Sequence, residues 1–416
     1  MMSKEKRRVP KLRFPGFTED WEQRKLGDFY TFKNGLNKEK VYFGYGDSIV
    51  NFTDVFHNRQ IYSSTLKGKV FVNKKELENF KVKEGDLFFT RTSETIDEIG
   101  FPAVVMEPME RVVFSGFVLR GRAEKNDPLV NIFKSYIFFT DNFRSEMKKK
   151  SSMTTRALTS GTALKEMYFS YPKDLEEQTK IGEILLRLDN VITLHQRKLD
   201  NLKLKKKTLL QKLFPKNGER YPELRFPGFT DAWEQCKLSD VLVERNEQQV
   251  ETREYPLMSF VQGLGVTPKG ERYDRSFLVL DQSKKYKRTE LGDFIYSSNN
   301  LETGSIGINK TGKAVISPVY SIFQGVSIGD SQFIGIMSLL PRFIAKMIRF
   351  RQGVVYGQWR IHETDFLDIS VLIPSVDERT KITQLILSIE ELITLHQRKL
   401  DHLQLQKKAL LQQMFV

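Results

Sequence analysis

Few residues in this sequence have the types and spacing that catalysis requires. GINKTGKA, residues 307–314, has the glycine and lysine spacing of a phosphate-binding loop. However, Ala314 stands where the Mg²⁺-binding hydroxyl belongs, and AVISPV, which is typical of a strand, follows where a helix should begin. The histidines form no HExxH motif or other ligand cluster, and the single cysteine, Cys236, stands where an internal repeat has Arg24. These residues therefore give no positive evidence for catalysis or for a metal site.

The strongest pattern is a duplicated helix. ITLHQRKLD occurs at Ile192–Asp200 and again at Ile393–Asp401, and core positions around each copy alternate in spacing between four and three residues. That alternation predicts a coiled-coil seam. We expect two helices of about 35–40 residues that pair antiparallel within one molecule, with pseudo-twofold symmetry, and hold two lobes apart. The predicted seam comprises Ile181, Leu185, Leu188, Ile192, His195, Leu199 and Leu202 in the first copy, and Ile382, Ile386, Ile389, Ile393, His396, Leu400 and Leu403 in the second.

The composition is that of a folded protein. The chain has 416 residues, of which 40% are hydrophobic, and a formal net charge of +14. We find neither an apolar run of transmembrane length nor a signal peptide, and one cysteine allows no internal disulfide. We therefore expect a soluble, cytoplasmic protein with no membrane partner. The basic balance is compatible with phosphate binding, although charge alone does not establish it.

A second repeat opens each half of the chain. PKLRFPGFTEDWEQRKLGD at 10–28 returns as PELRFPGFTDAWEQCKLSD at 222–240, and a Gly-Asp turn precedes a buried strand and a polar loop in both halves, at Gly85 and Gly292. The segments 41–72 and 255–279 share no evident identity, so the frame is repeated while the exposed parts differ. We predict a basic tail at 1–9, lobes at 10–173 and 222–375, long helices at 174–214 and 376–416, and a linker at 215–221.

This combination resembles the specificity subunits of type I restriction–modification systems over nearly the whole chain. The resemblance rests on LRFPGF and a following tryptophan at the start of each lobe, and on EQTKI or ERTKI at the start of each long helix, followed by ITLHQRKLD. It implies an α+β fold with two similar target recognition domains, each of which recognises one half of a bipartite site in double-stranded DNA. It also implies that the helices set the unspecified gap and dock two modification subunits.

The resemblance implies no catalytic residues and no cofactor in this chain. Partner subunits would methylate adenine with S-adenosylmethionine, and restriction subunits would translocate and cut DNA with ATP and Mg²⁺. An amino-methyltransferase needs an Asn/Asp-Pro-Pro-aromatic motif, which this sequence lacks.

The residues that contact DNA must come from exposed polar loops. Arginine pairs well with guanine and asparagine or glutamine with adenine in the major groove. The predicted DNA-binding residues are Arg91, Thr92, Ser93, Thr155 and Arg156 in the first lobe, and Ser298, Asn299, Asn300, Gln358 and Arg360 in the second. The alternative for each is an ordinary solvent-exposed loop residue or a hydrogen bond that supports the fold.

Two other interpretations remain open from the sequence. The chain could be a stand-alone DNA-binding regulator or scaffold, or a methyltransferase or nuclease that acts alone. Missing catalytic motifs weigh against an enzyme. Two unlike lobes on two like helices favour the specificity subunit, because a symmetric regulator would use identical halves.

Overall fold

The computed structural model describes residues 8–261, 264–268, 284–301, 305–354 and 358–416, without the side chains of residues 300, 328, 354 and 358. Most of the predicted tail 1–9, part of the segment 255–279 and residues 302–304 of the second polar loop lie outside these ranges. The chain divides into two compact units. Unit 1 contains the chain up to Gln196 together with Arg398–Val416, and unit 2 contains Arg197–Gln397.

Unit 1 combines short strands with small helices. Its strands are β1 (Glu22–Lys25), β2 (Tyr30–Asn34), β3 (Phe43–Val50), β4 (Gln60–Ile61), β5 (Lys69–Val70), β6 (Leu87–Thr90), β7 (Thr92–Ser93), β8 (Pro102–Val105), β9 (Val112–Phe114), β10 (Val118–Ala123), β11 (Ser152–Met153), β12 (Ala157–Leu158) and β13 (Tyr168–Tyr171). Its short helices are α1 (Phe52–Val55), α2 (Lys74–Phe80), α3 (Asn131–Ile137), α4 (Asp141–Lys150) and α5 (Gly161–Lys165).

The central sheet of unit 1 has the strand order β2-β10-β6-β8-β4, and smaller sheets have the orders β5-β3-β9 and β11-β12-β7. Its middle strands β6 and β8 are buried throughout, as their apolar runs predict. The Gly-Asp turn before β6 positions this sheet. Gly85 has a φ of +82°, which favours glycine, and the Asp86 carboxylate accepts two hydrogen bonds from Arg122 of β10, both of 2.6 Å.

Unit 2 repeats this architecture. Its strands are β14 (Glu234–Lys237), β15 (Leu242–Glu244), β16 (Gln248–Gln249), β17 (Met258–Val261), β18 (Gly265–Pro268), β19 (Tyr286–Thr289), β20 (Phe294–Tyr296), β21 (Ile306–Ile308), β22 (Ala314–Ile316), β23 (Ser321–Gly325), β24 (Gln352–Val354), β25 (Gln358–Arg360) and β26 (Ser370–Ile373). Its short helices are α7 (Ile328–Met337), α8 (Pro341–Ile348) and α9 (Glu363–Leu367).

The main sheet of unit 2 has the order β15-β23-β20-β21, with the smaller sheets β16-β19-β22, β17-β18 and β24-β25. Its Gly-Asp turn is built like that of unit 1. Gly292 has a φ of +86°, and Asp293 pairs with Arg245 at 2.8 Å. Residues 307–314 run from strand β21 into strand β22, so no helix follows the glycine-lysine spacing.

Two long helices complete the fold. The first, α6, spans Leu175–Lys212 and the second, α10, spans Val376–Gln413, each with 38 residues and therefore about 57 Å long at 1.5 Å per residue. In unit 1, Ile181 and Leu185 near the start of α6 share a core with Met414 and Phe415 at the end of α10. In unit 2, Leu210 and Leu213 near the end of α6 share a core with Ile382 and Ile386 near the start of α10. The helices therefore run antiparallel in each unit.

The opening repeats attach each lobe to a long helix. Arg13 pairs with Glu177 at 2.6 Å in unit 1, and Arg225 pairs with Glu378 at 2.7 Å in unit 2. Hydrogen bonding to Glu177 raises the pKa of Arg13. The strand that follows each motif pairs with the last strand before the long helix, β1 with β13 and β14 with β26. The repeated motif thus closes the lobe onto the helix.

The repeated tryptophans seat the ends of the long helices. Trp21 lies edge-on to Phe133 and Phe415, with ring centroids 6.0 Å apart in both pairs. Trp233 contacts Phe214 at 5.7 Å and Phe333 at 5.9 Å. Phe415 follows α10, which begins in unit 2, and Phe214 follows α6, which begins in unit 1. The core of each unit therefore includes residues at the end of the helix that begins in the other unit.

Candidate DNA interface

The predicted DNA-binding residues of unit 1 come together although they lie about 60 residues apart in the chain, beyond the reach of local structure. Strand β7 pairs with β12, with Ser93 opposite Ala157 and Thr92 opposite Leu158. Strand β12 in turn pairs with β11, so that Thr155 and Arg156 lie in the turn of the β11–β12 hairpin. Immediately beside this sheet, the Arg91 carbonyl accepts a hydrogen bond of 3.0 Å from the Thr159 N–H.

These five residues are not equally available to a ligand. Thr155 and Arg156 are exposed, and Arg91 and Thr92 are half-buried. Ser93 is buried, and its hydroxyl accepts a hydrogen bond of 3.3 Å from the Thr95 N–H and lies 3.5 Å from a Glu98 carboxylate oxygen. The hairpin turn therefore offers the accessible donors, whereas the Ser93 hydroxyl serves the loop itself.

The same construction appears in unit 2. Ser298–Asn300 form a single 3₁₀ turn after β20, and strand β25 lies against it. The Asn299 side-chain oxygen accepts a hydrogen bond of 2.6 Å from the Trp359 N–H, and the Ser298 hydroxyl accepts one of 3.0 Å from the Ile361 N–H. Ser298 is buried, while Asn299 and Arg360 are exposed. The side chains of Asn300 and Gln358 lie outside the described part of the structure.

Both hairpins follow a helix with a basic end. Helix α4 ends in Lys148–Lys150 and leads into β11, while Arg349 and Arg351 follow α8 and lead into β24. These cations were not among the residues predicted from the sequence, although the run of lysines just before the loop is visible there. It also missed Trp359, an exposed aromatic residue that lies between Gln358 and Arg360.

Arginine also stabilises the loop between β7 and β8 in unit 1. The Arg144 guanidinium donates hydrogen bonds of 2.7 Å to the Gly100 carbonyl and 3.0 Å to the Asp97 carbonyl. Burial lowers the pKa of Arg144 to about 10, and its guanidinium lies 4.9 Å from the centre of the Phe101 ring. Arg144 therefore holds the loop that follows Arg91–Ser93 rather than facing solvent.

The predicted seam positions form the less exposed side of both long helices. Each of the fourteen predicted seam residues is buried or half-buried, whereas most intervening positions are exposed. Lys206 and Lys407, which continue the spacing of the seam after Leu202 and Leu403, are neutralised within their own units. Lys206 pairs with Glu390 at 2.7 Å in unit 2, and Lys407 pairs with Asp189 in unit 1. Glu390 also pairs with Lys310, and the Tyr136 hydroxyl donates a hydrogen bond of 2.9 Å to Asp189.

A second face of the long helices carries exposed apolar residues at equivalent positions of the two repeats. The pairs are Val191 and Leu392, Leu194 and Leu395, and Leu204 and Leu405. In unit 1 this face adjoins a groove of about 490 Å³ lined by Ile184, Arg187, Leu188, Val191, Gln406, Ala409 and Leu410. A repeated apolar face that the described chain leaves uncovered is typical of a docking surface.

Other kinds of site find no support in the described residues. They contain no group of three or more histidine, cysteine, aspartate or glutamate side chains placed to hold a metal ion. None of the described helices combines the length and apolarity that a membrane-spanning helix needs.

Part of the sequence matches a known family model. Residues 18–204 match the type I restriction modification DNA specificity domain. Together with the relative described next, this match confirms the resemblance seen in the sequence: the chain is similar to the specificity subunits of type I restriction–modification systems. Subunits of this family are non-catalytic, bind DNA and work with other subunits.

Individual relatives extend the comparison over the whole chain. The chain is 22% identical over 409 residues to a putative type I restriction enzyme MjaX specificity subunit of Methanocaldococcus jannaschii, covering 94% of this chain and 92% of that protein. The solved S subunit of a type I restriction-modification system from M. genitalium has a TM-score of 0.63 at 12% identity, covering 98% of this chain and 99% of that one. This likeness confirms the predicted α+β fold with two long helices.

Proposed function

We propose that each unit of this chain recognises one half of a bipartite site in double-stranded DNA and so directs adenine methylation and restriction to that site. One observation carries the proposal. In both units, two polar segments that are distant in sequence meet at an exposed hairpin, and a helix with a basic end leads into that hairpin. Arg156 and Arg360 are the exposed arginines of the two hairpins.

The chemistry of these hairpins suits DNA. An arginine guanidinium donates two parallel hydrogen bonds to O6 and N7 of guanine, whereas an asparagine amide donates to N7 of adenine and accepts from its N6 amino group. Asn299 uses its oxygen within the protein and keeps its amide N–H groups for an acceptor on DNA. Lys149 and Arg349 are placed to contact phosphates, and such contacts set the register of the protein but carry no sequence information. Lys148 and Lys150 already pair with Asp97 and Glu146.

The long helices would provide the second part of the function. Two copies of one partner require two equivalent surfaces, and the repeated apolar face supplies them: Val191, Leu194 and Leu405 in unit 1, and Leu392, Leu395 and Leu204 in unit 2. We assign these surfaces to two modification subunits. The helix length would fix the unspecified gap between the half-sites.

Catalysis would lie in the partners. The modification subunits would bind S-adenosylmethionine and methylate adenine, and restriction subunits would use ATP and Mg²⁺ to translocate and cut DNA. This chain would bind none of these cofactors, and the assembly would act in the cytoplasm, where its DNA target is found.

The assignment of one half-site to each unit can be tested with single variants. Arg156→Ala and Arg360→Ala should each weaken discrimination at one half of the site by about 5- to 150-fold, the range of one bidentate base contact. Discrimination is measured by competition of duplexes with either half scrambled against the labelled cognate duplex. Arg24→Ala is the matched control, because Arg24 is also exposed but lies on β1 and pairs with Glu22. Loss at the same half for both variants, or at neither half, would contradict the assignment.

Docking can be tested separately by stoichiometry. Leu194→Asp and Leu395→Asp each place a charge on one of the two equivalent faces. Native mass spectrometry of the co-expressed complex should show two modification subunits on the unaltered chain, one on each single variant and none on the double variant. Two subunits retained by the double variant would refute the docking surface.

A further inference from the structure

The most unusual exposed surface of unit 1 is a cluster of aromatic residues around strand β3. Tyr42, Phe43, Tyr45 and Phe71, which we call the aromatic bulge, are between 37% and 51% exposed. The first four residues of β3 are all exposed, so the alternation expected of a half-buried strand is absent there. Clustered exposed aromatic side chains usually mark an interaction site.

The backbone is built to present Tyr45. The pairing of β3 with β5 shifts register between Phe43 and Asp47, so the residues between them bulge from the ladder. Gly44 and Gly46 flank Tyr45 with φ values of +100° and +90°, a conformation that glycine adopts without strain. A side chain at Gly46 would also collide with the backbone, because its Cβ would lie 2.8 Å from the Val70 carbonyl oxygen.

The bulge is ordered by contacts within unit 1. The rings of Tyr45 and Phe71 stack with centroids 5.9 Å apart, and the Phe71 N–H donates a hydrogen bond of 2.8 Å to the Tyr42 carbonyl. The Lys38 ammonium donates 2.8 Å to the Phe71 carbonyl and lies 4.7 Å from the centre of the Tyr42 ring. The side chains of Tyr42, Tyr45 and Phe71 are thus held in place before any partner binds.

The bulge connects through hydrogen bonds to the predicted DNA-binding loop. The Arg91 N–H donates 3.0 Å to the carbonyl of Phe117, an exposed residue, and the neighbouring Gly116 N–H donates 2.9 Å to the Leu36 carbonyl. Leu36 lies two residues before Lys38, whose ammonium donates a hydrogen bond to the Phe71 carbonyl. A single run of contacts therefore links Arg91 to the aromatic bulge.

The charge around the bulge is positive. Lys40, Lys67, Lys69, Lys74 and Lys75 are exposed on the segments that carry the aromatic residues. Among the acids nearby, Asp47 pairs with Arg111 at 2.6 Å and Glu76 pairs with Lys38 at 2.7 Å, while Glu39 and Glu78 are exposed, so the exposed lysines outnumber the exposed carboxylates. Aromatic side chains surrounded by exposed lysines suit a polyanion with apolar base edges better than they suit a protein surface.

We propose that the aromatic bulge is a second DNA-contacting surface of unit 1, which enters the major groove as a two-stranded ribbon beside the Arg91–Arg156 loops and contributes to recognition of the same half-site. A ribbon of two strands fits that groove, where apolar side chains contact the thymine methyl group. The exposed lysines contact the flanking phosphates. The inference rests on the proposed recognition of one half-site by unit 1, and it explains why the segments 41–72 and 255–279 differ between the lobes.

The test measures binding of the full chain with its modification subunits to three labelled duplexes: the cognate site, and the site with either half scrambled. The double variant Tyr45→Ala/Phe71→Ala should bind the cognate duplex at least 10-fold more weakly. It should lose discrimination at the same half as Arg156→Ala. Tyr45→Phe, which keeps the aromatic ring, should bind the cognate duplex as tightly as the unaltered complex. Tyr168→Ala is the matched control, because Tyr168 is 45% exposed but lies on β13.

Each outcome has a distinct meaning. Cognate binding by the double variant within 2-fold of the unaltered complex overturns the bulge proposal and leaves the proposed function intact. Unaltered DNA binding with loss of a modification subunit from the double variant overturns it in favour of a protein-docking surface. An unaltered complex that does not distinguish cognate from scrambled duplexes refutes the proposed function and, with it, the bulge proposal.

Discussion

The ion pair between Lys206 and Glu390 gives the sharpest prediction about the helix pair in unit 2. Lys206 of α6 and Glu390 of α10 are 2.7 Å apart, and their side chains are only 23% and 17% exposed. Glu390 also pairs with Lys310 of the lobe. Replacing Glu390 by glutamine keeps the shape of the side chain but leaves two lysines without their carboxylate.

The expected magnitude follows from burial. Exposed ion pairs contribute about 0–1 kcal/mol, whereas removing one partner of a buried pair costs about 3–5 kcal/mol. Because Glu390 and Lys206 are intermediate, we expect Glu390→Gln to lower the free energy of unfolding of unit 2 by about 1–3 kcal/mol. The double variant Lys206→Met/Glu390→Gln should be less destabilised than the sum of the single variants, with a coupling energy of about 1 kcal/mol or more.

The assay must follow unit 2 alone, because a chain with two units need not unfold in one step. The chain has three tryptophans, of which Trp233 and Trp359 lie in unit 2 and Trp21 lies in unit 1. A Trp21→Phe background therefore makes tryptophan fluorescence during urea unfolding a report on unit 2. Glu223→Gln is the matched control, since the Glu223–Lys212 pair of unit 2 is also 2.7 Å long but its side chains are 49% and 45% exposed.

A Glu390→Gln variant whose unfolding midpoint in urea moves no further than that of Glu223→Gln would refute the reasoning. The reasoning would also be refuted by a coupling energy near zero in the double-mutant cycle. Either result would mean that the lysine in the seam is solvated rather than held by its partner.

Three further predictions concern the units. Burial raises the pKa of Glu390, but the charges of Lys206 and Lys310 outweigh burial and lower the pKa below its ordinary value. The stability that this carboxylate contributes at neutral pH should therefore disappear as pH falls through the lowered pKa. Glu390→Gln should flatten the pH dependence of the free energy of unfolding below about pH 5. Phe415→Ala should destabilise unit 1 by about 3–5 kcal/mol, as measured by Trp21 fluorescence, and Phe214→Ala should destabilise only unit 2 by a similar amount. A variant that destabilises both units equally would contradict the separate cores. Gly182→Ala should destabilise unit 1 in urea unfolding followed by Trp21 fluorescence, because its Cβ would lie 2.7 Å from an Ile132 methyl group. Overpacking costs about 1–3 kcal/mol, against a gain in helix propensity of at most about 1 kcal/mol; equal or greater stability would show that α3 can move away.

The sequence predicted the elements that depend on periodicity. The spacing around ITLHQRKLD placed two long helices and their sheltered faces, because a coiled-coil seam constrains residue type at every third or fourth position. The repeated LRFPGF and tryptophan motif predicted two lobes of one design. The same pattern could not show that Lys206 and Lys407 have acidic partners, because Glu390 and Asp189 lie off the seam and only the register of the antiparallel pair brings them near.

The candidate site was predictable only in part. Choosing polar loop residues selected segments that do meet in each unit, at β7 with the β11–β12 hairpin and at Ser298 with β25. Residue type could not distinguish a side chain that serves the fold from one that faces solvent, since Ser93 and Ser298 are both buried and accept hydrogen bonds from backbone N–H groups. The aromatic bulge was missed because exposed aromatic residues and core residues look alike in a sequence without strong alternation.

The most direct test of the central claim is a genome-wide map of methylated adenine in the source cell, with and without the gene for this chain. The account predicts that methylation disappears at one bipartite motif, with two short defined halves around a fixed gap, and that restoring the gene with Arg156→Ala relaxes one half of that motif. An unchanged map in cells that express both this chain and its modification subunits would contradict the account.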